Sequence, residues 1–496
     1  MLPMDENKRR KINLWMFPLG TVGRDMMYAL FNSYLLTFVL FTRNLTAAQL
    51  SAITAIMVAA RLFDALNDPI MGNIIEHTRT RFGKFKPWLA IGIVASCAVI
   101  YAAFNSTLQG WPFIIFFGVI YFLYSIAYTM HDISYWGMVA ALSSDADTRN
   151  QLTSRATLFA GIGGTLAGLL IPLLTAGSFA LGGNAATAYG RIALLFCIIG
   201  PLFLCFTIFG VQERRETFIE KAPPISFKKI VTTIARNDQL KWIAVIFLIQ
   251  QIGNNIAVSG IGSTYIYFDF GYSGGLYSLF NTVGVLATAV LMLFYPAISR
   301  KIQRKKLMHI TMGVSLVGYV FMLLCGLTLP STMLKFWLIT IGYTAANFGI
   351  YSFYLIMMIS IINTVEYNEY LFGERDEAII ASLRPFLTKM ASALVIVLTS
   401  LTYIVCGVTS TTNQISSFEN AAAAGLITEA EKLVSIDQVI AGVGNAQTTG
   451  LFLCLTLLPL LLMFVSYVLY QRKYTLDEPE YDRICAELTL RKEEGK

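Results

Sequence analysis

Several charged and hydroxyl-bearing side chains stand inside long apolar runs, at spacings that put them on shared helix faces. In "RLFDALNDPI", residues 61–70, Asp64 and Asp68 are four apart, with Arg61 before them and Asn67 between them. Residues i and i+4 on a helix are neighbours, with Cβ atoms roughly 5–6 Å apart. Two carboxylates that close repel, so either one holds a proton or a cation sits between them. Carboxylate and amide oxygens suit a hard cation such as Na⁺, while a raised carboxyl pKa suits H⁺. The blander alternative is that Asp68 and Arg61 pair with residues of the adjacent loops.

In "YTMHDISYW", residues 128–136, Thr129, Asp132 and Trp136 fall on one face at i, i+3 and i+7. A carboxylate accepts hydrogen bonds from sugar hydroxyls, and an indole four residues on stacks against a pyranose face. The alternative for Trp136 is anchoring at a membrane interface. His131 points elsewhere on the helix and is read as structural, with a proton-carrying role left open. Lys389, in "FLTKMAS", lies near the middle of an apolar run rather than at its end, which argues against snorkelling to the interface. It is the natural counter-charge to the aspartates and a suitable coupling element between a cation site and a substrate site.

Such residues are expensive where they are. A charge at the centre of a membrane span costs about 2.5–3.5 kcal/mol on insertion scales. Asp25, Asp64, Asp68, Asp132 and Lys389, if unpaired, would cost on the order of 10 kcal/mol together, comparable with the stability of a whole domain. They must line a polar cavity, pair with one another or bind an ion.

The elements that carry them are membrane helices. Of 496 residues, 56% are hydrophobic and 14% charged, against roughly 25% charged in soluble domains. Apolar runs of bilayer-spanning length recur. The pattern predicts an all-α membrane protein with twelve transmembrane helices near 14–41, 47–75, 88–107, 111–141, 152–176, 188–210, 240–268, 275–298, 307–328, 332–362, 379–408 and 449–471. A polar start at Met1–Lys11 followed by a long apolar run argues against a cleavable signal.

Alternate connections are basic: Lys8–Lys11, Arg79–Lys86, Arg214–Arg236, Arg300–Lys306 and Arg472–Lys473. The others are nearly free of Lys and Arg, with Arg43, Arg191, Lys335 and Lys432 as exceptions. The positive-inside rule then places both termini in the cytoplasm of a multi-pass protein of the plasma (inner) membrane. The long charged connection after the sixth span divides the chain into an N-terminal six-helix bundle (1–210), a cytoplasmic central loop (211–239) containing Pro223-Pro224, a C-terminal six-helix bundle (240–471) and a cytoplasmic tail (472–496). The external segment 409–448 has helical character and is expected on the membrane surface. Six plus six spans, with matching short basic loops in each half, is the organisation of the major facilitator fold.

Other chemistries find little support. The net charge of +7 lies in the loops and signals no nucleic-acid partner. The seven cysteines lack metal-ligand spacing and no disulfide framework is expected. Gly161, Gly164 and Gly168 in "AGIGGTLAG" are read as small-residue helix packing, since no strand–loop–helix context supports a phosphate loop. No nucleophile–base pair suggests an enzyme, and no cofactor is expected beyond a co-transported Na⁺ or H⁺. The expected partners are a sugar or glycoside, a monovalent cation and the lipid bilayer.

Five motifs, in order along nearly the whole chain, resemble those of the glycoside–pentoside–hexuronide:cation symporters, the melibiose-permease-like family of the major facilitator superfamily. They are "GTVGRD" (20–25), "RLFDALNDPIMGNIIEHTRTRFGKFKPW" (61–88), "YTMHDISYW", "NTVEYNEYLFGER" (363–375) and "LTKMASAL" (387–394). The resemblance implies that Asp25 and Asp132 bind sugar hydroxyls, with Trp136 stacking and Arg24 flanking. It implies a cation site of Asp64, Asp68, Asn67 and Thr129, with Lys389 between the two. The family often carries a sugar-contacting arginine early in helix 5; Arg155 sits a position or two before that place, which Ala156 or Thr157 occupies. The external segment 409–448 is also longer than the family pattern. The expected activity is cation-coupled symport by alternating access. An amphiphile or lysolipid carrier on the same scaffold and a non-transporting sugar sensor are the alternatives.

Overall fold

A computed structural model describes residues 6–143, 145–212, 227–299 and 301–494. Six helices come first: α1 (Glu6–Thr42), α2 (Ala47–His77), α3 (Lys86–Asn105), α4 (Gly110–Leu142), α5 (Ala146–Thr175) and α6 (Ala185–Cys205). A short α7 (Phe227–Arg236) leads into α8 (Asp238–Ile256), α9 (Gly262–Phe270), α10 (Gly274–Ser299), α11 (Arg304–Thr328), α12 (Met333–Phe372) and α13 (Glu377–Val405). Then come α14 (Val408–Ala423), α15 (Glu429–Ala441), α16 (Asn445–Lys473) and α17 (Glu478–Glu494).

Eleven spans among the described residues are long and apolar enough to cross a membrane, the stretch Asp238–Phe270 counting as one. Helix α10 adds 26 residues without a charge, which brings the count to the expected twelve. Two helices outrun their expected spans. Helix α1 starts at Glu6 and takes in the basic Lys8–Lys11 run, and α12 continues through 363–372, beyond its expected span. Both exceed the roughly 20 residues that a bilayer needs, so their ends project into water, where polar residues are as compatible with a helix as apolar ones.

Helix ends follow local chemistry. Thr46 and Gln49 form a reciprocal capping box at the start of α2, satisfying two otherwise orphaned N–H groups. Asp145 accepts from Thr148 N–H at the start of α5. Helix α12 stops at Gly373 with φ 70, a left-handed conformation that glycine adopts without a Cβ penalty. The expected continuous span 240–268 is broken instead: residues Ala257–Ile261 form a π segment in which Gly260 has φ 100.

The chain divides into two compact units. One contains Met1–Glu220, Ile266–Leu279 and Tyr403–Gln447. Its helices α1 and α5 approach closely at Gly163, where an added Cβ would collide with the Val22 carbonyl. Gly161 and Gly164 meet no neighbour within 4 Å. Of the three glycines singled out from spacing, Gly168 accepts at its carbonyl from Tyr34 of α1, and the closest approach falls at Gly163. In the other unit (Lys221–Tyr265, Phe280–Thr402, Thr448–Lys496), Phe247, Phe353, Ile356, Met357 and Met463 belong to one buried cluster.

The segment 409–448, expected on the membrane surface, does not lie loose. It folds as α14 and α15, which pack into the first unit. Asn413 donates to the Leu45 carbonyl at 2.8 Å and accepts from Leu45 N–H at 2.8 Å. Asn420 donates to the Thr42 carbonyl. Glu419 and Lys432, both fully buried, pair at 3.4 Å; Glu419 also accepts from Ala185 N–H and Lys432 donates to the Gly183 carbonyl.

This also accounts for exceptions to the loop-charge pattern. Arg43, Lys335 and Lys432 are 3%, 6% and 0% exposed. Arg43 donates to the carbonyls of Thr42 and Ser106 and sits over the rings of Phe38 and Phe113. These cations fasten structure. The residues Arg214, Arg215 and Lys221 of the central loop, its Pro223-Pro224 pair, and Arg300 lie outside the described residues.

Candidate functional site

Helices α1, α2 and α4 bring the polar residues of the first unit together in two adjoining networks. The first centres on Arg24 of α1, which is 3% exposed. Its Nη2 and Nε reach Asp25 Oδ2 at 2.9 and 3.1 Å, and its Nη1 lies 3.2 Å from Asp132 Oδ1 of α4. Its guanidinium also stands over the rings of Tyr135 at 4.7 Å and Trp136 at 5.5 Å. A planar cation flanked by carboxylates and aromatic faces satisfies both its charge and its weak hydration. Asp25 and Asp132 keep part of their surface open, 19% and 33%, so their remaining oxygen lone pairs can accept hydroxyl protons. Arg24 is therefore the hub that pre-aligns two acceptors beside an indole.

The second network is built on α2. Arg61 Nη1 lies 3.7 Å from Asp64 Oδ2, and its Nη2 donates to Asn32 Oδ1 of α1 at 2.5 Å. Asn32 in turn donates to the Tyr124 hydroxyl at 3.1 Å. Ser125 of α4 donates to Asp64 Oδ1, and Thr129 donates to Asp68 Oδ1 at 3.1 Å. Asn67 is buried, and its amide nitrogen has no hydrogen-bond partner. Asp64 is thus held by a cation on one oxygen and a hydroxyl on the other. Arg61 pairs within the membrane helices and not with loop residues, which disposes of that alternative for Arg61.

The two networks adjoin along α4. Thr129 faces Asp68, and Asp132, three residues on, faces Arg24. At 1.5 Å per residue they are separated by about 4.5 Å of helix rise. Tyr128, between them, packs on Tyr28 and lies against Tyr124.

Two expected members are carried by other helices. Arg155 of α5 donates to the Leu14 carbonyl at 3.2 Å and sits over the Trp15 ring. Leu14 is eleven residues before Asp25 on α1, about 16 Å along the axis. The structure therefore does not bring Arg155 to the Arg24 network. Its displaced sequence position matches that outcome. Lys389 belongs to the second unit, half-buried on α13. His131 is 1% exposed and packs its backbone and Cβ against Gly92 of α3, which agrees with a structural role. Among the described residues, no group of three or more His, Cys, Asp and Glu is placed to hold a metal ion; the oxygen set around Asp64 and Asp68 suits only a hard ion.

Ser125 and Asn32 escaped the sequence reading. Both leave a faint trace in spacing: Ser125 precedes Thr129 by four, and Asn32 follows Asp25 by seven, each on the face of a residue already marked.

A twelve-helix, two-unit membrane protein with charged networks buried in one half belongs to the class of secondary transporters. Residues 16–478 match the family described as MFS/sugar transport protein. The chain belongs to that family and is a transporter, not an enzyme; the resemblance to glycoside–pentoside–hexuronide:cation symporters stands. It is 26% identical to the lactose permease of Lactobacillus helveticus, over 97% of this chain and 72% of that protein. It is 25% identical to the raffinose carrier protein of Pediococcus pentosaceus (95% and 70%) and 22% identical to the isoprimeverose transporter of Lactiplantibacillus pentosus (75% and 76%). The chain spans only 61% of the lactose permease of Leuconostoc lactis. Among solved structures, an inward-facing bacterial homologue of the lysosomal transporter Spinster superposes with a TM-score of 0.60 at 12% identity, covering 94% of this chain and 96% of that one. A D-xylose–proton symporter gives 0.56 at 13% identity, with 89% and 99% covered. At such identities the likeness is one of fold.

Proposed function

We propose that this protein imports a sugar or glycoside by cation-coupled symport and alternating access. On this reading it lies in the cytoplasmic membrane with both termini inside. The observation that carries the proposal is the placement of two networks on one helix: α4 presents Thr129 to the α2 carboxylates and Asp132 to the Arg24 hub. A cation held by Asp64, Asp68, Asn67 and Thr129 alters the field and packing of α4 one turn from the sugar acceptors Asp25 and Asp132. By linkage, cation binding then raises sugar affinity and sugar raises cation affinity by the same factor. Lys389, near the middle of the apolar α13, is the proposed counter-charge and coupling element.

The named sugars of the relatives, lactose, raffinose and isoprimeverose, all contain a glycosidic bond, which supports a glycoside over a free monosaccharide. Energetically the scheme is sufficient. One charge moving down 100 mV supplies about 2.3 kcal/mol, enough for roughly a fifty-fold gradient. The test is uptake into membrane vesicles, screening glycosides under imposed Na⁺, Li⁺ and pH gradients. Asp64→Cys is expected to abolish gradient-driven accumulation; full accumulation by that variant refutes the mechanism.

A further inference from the structure

The hydrogen bonds between α2 and α4 repeat. Asp64 pairs with Ser125 and Asp68 pairs with Thr129, each pair separated by 61 positions. Both helices advance by four residues between the pairs. Each carboxylate on α2 therefore faces one hydroxyl on α4 at the same register. Ser125 is 4% exposed and Thr129 3%, so neither hydroxyl is a solvated surface group. The repeat makes Ser125 the counterpart of Thr129, one turn away.

From this we propose that Ser125 is a further cation-coordinating residue that sets the preference between Na⁺ and Li⁺. The inference rests on the cation-coupling reading above. A serine hydroxyl has one proton and two lone pairs. It can keep donating its proton to Asp64 Oδ1 while a lone pair faces an ion held between the carboxylates. With Thr129 in the same arrangement and the buried Asn67 amide alongside, the ion meets two carboxylates, two hydroxyls and an amide. That set is all oxygen on the acceptor side, as hard cations require. A larger Na⁺ fills such a set better than Li⁺, which is satisfied by fewer oxygens; loss of one hydroxyl should therefore hurt Na⁺ more.

A packing role predicts otherwise. If Ser125 only satisfies Asp64, its removal weakens both ions alike or only lowers stability. The test needs no sugar: the full-length purified protein is titrated with NaCl or LiCl at constant pH and ionic strength, choline chloride making up the balance, and thermal unfolding is followed. A saturable rise in Tm reports binding by mass action. Expected are a roughly tenfold or greater weakening of Na⁺ in Ser125→Ala, a smaller loss for Li⁺, and near wild-type behaviour in Ser125→Thr, which restores the hydroxyl. Ser125→Cys, of matching size with a soft sulfur, should follow the alanine variant and covers the case in which alanine disturbs folding. Unchanged Na⁺ binding in Ser125→Ala and Ser125→Cys, or equal losses for both ions, overturns the inference. Asp68→Asn serves as the reference. If it loses Na⁺ binding while the Ser125 variants do not, the inference fails and the coupling site stands. If wild-type protein shows no saturable response to either ion, the inference fails, and the coupling reading survives only as proton coupling, to be decided by vesicle uptake under a pH gradient.

Discussion

Asp25 and Asp132 share one guanidinium, and that sharing decides what each substitution does. Removing either carboxylate leaves Arg24, almost fully buried, with half its compensation. Losing a buried charge partner costs several kcal/mol, so Asp132→Ala should weaken sugar binding by at least about a hundredfold, about 1.4 kcal/mol per tenfold. Asp132→Asn, which keeps an acceptor oxygen, should lose less. Equilibrium sugar binding to the purified protein at saturating cation checks this; equal affinity in Asp132→Ala and wild type contradicts the assigned role. Asn32 makes a quieter contribution. It accepts from Arg61 and donates to Tyr124, so Asn32→Leu leaves one buried guanidinium nitrogen without its hydrogen bond and should destabilise the protein by about 1–3 kcal/mol, read as a fall in the unfolding midpoint. The carboxylates, the hydroxyl of Thr129, Trp136 and Asn67 were legible from residue type and helical spacing, because charge in an apolar run is costly enough to demand a partner. Arg61's ion pair with Asp64, three residues on along the same helix, was within reach of spacing, but its hydrogen bond to Asn32 was not, since spacing on one helix says nothing of the next.

Helix contacts separate strong interactions from weak ones that look alike in sequence. Arg375 pairs with Glu366 and Glu369 of α12 and Glu377 of α13 at 2.9, 3.1 and 3.2 Å. Yet Arg375 is 48% exposed, and exposed pairs contribute about 0–1 kcal/mol. Nearby, the hydrogen bond and charge of Asp376 push the Lys229 ammonium upward. Glu419 and Lys432 form one ion pair with no exposure at all. Removing one partner of a buried pair costs about 3–5 kcal/mol, whereas replacing both with apolar residues can be neutral. Glu419→Ala should therefore lower stability severalfold more than Arg375→Ala, and Glu419→Leu combined with Lys432→Met should recover most of the loss. Comparable unfolding midpoints for the two single variants would refute this ordering. At α1 and α5, Gly163→Val drives a side chain into the Val22 backbone, an overpacking expected to cost at least about 1–3 kcal/mol, while Gly164→Ala is expected to be silent. The helix count was readable because twenty apolar residues have few alternatives in a bilayer. The break at Gly260 and the choice of Gly163 over its neighbours were not, since both depend on which backbone comes close in three dimensions.

At the scale of the molecule, loop charge and burial together make the topology testable. Leu426, 78% exposed at the turn between α14 and α15, carries no orientation signal. Lys305 lies in a basic connection. Leu426→Cys should react with a membrane-impermeant maleimide on intact cells, and Lys305→Cys only after permeabilisation. The reverse pattern would invert the orientation proposed here. The native cysteines are all partly buried and set a low background.

The pairing of Asn413 with Leu45 joins residues 368 positions apart. A ribosome adds roughly 5–20 residues per second, so Leu45 waits on the order of 20–75 s after synthesis for its partner. Through that interval the backbone N–H and carbonyl of Leu45 stand without the side chain that later satisfies them. The N-terminal unit is thus the first half to be made but among the last to be finished. A chain released early, before residue 413, holds the helices up to α13 but lacks α14 and α15, so the ends of α1 and α6 that those helices later cover stay open.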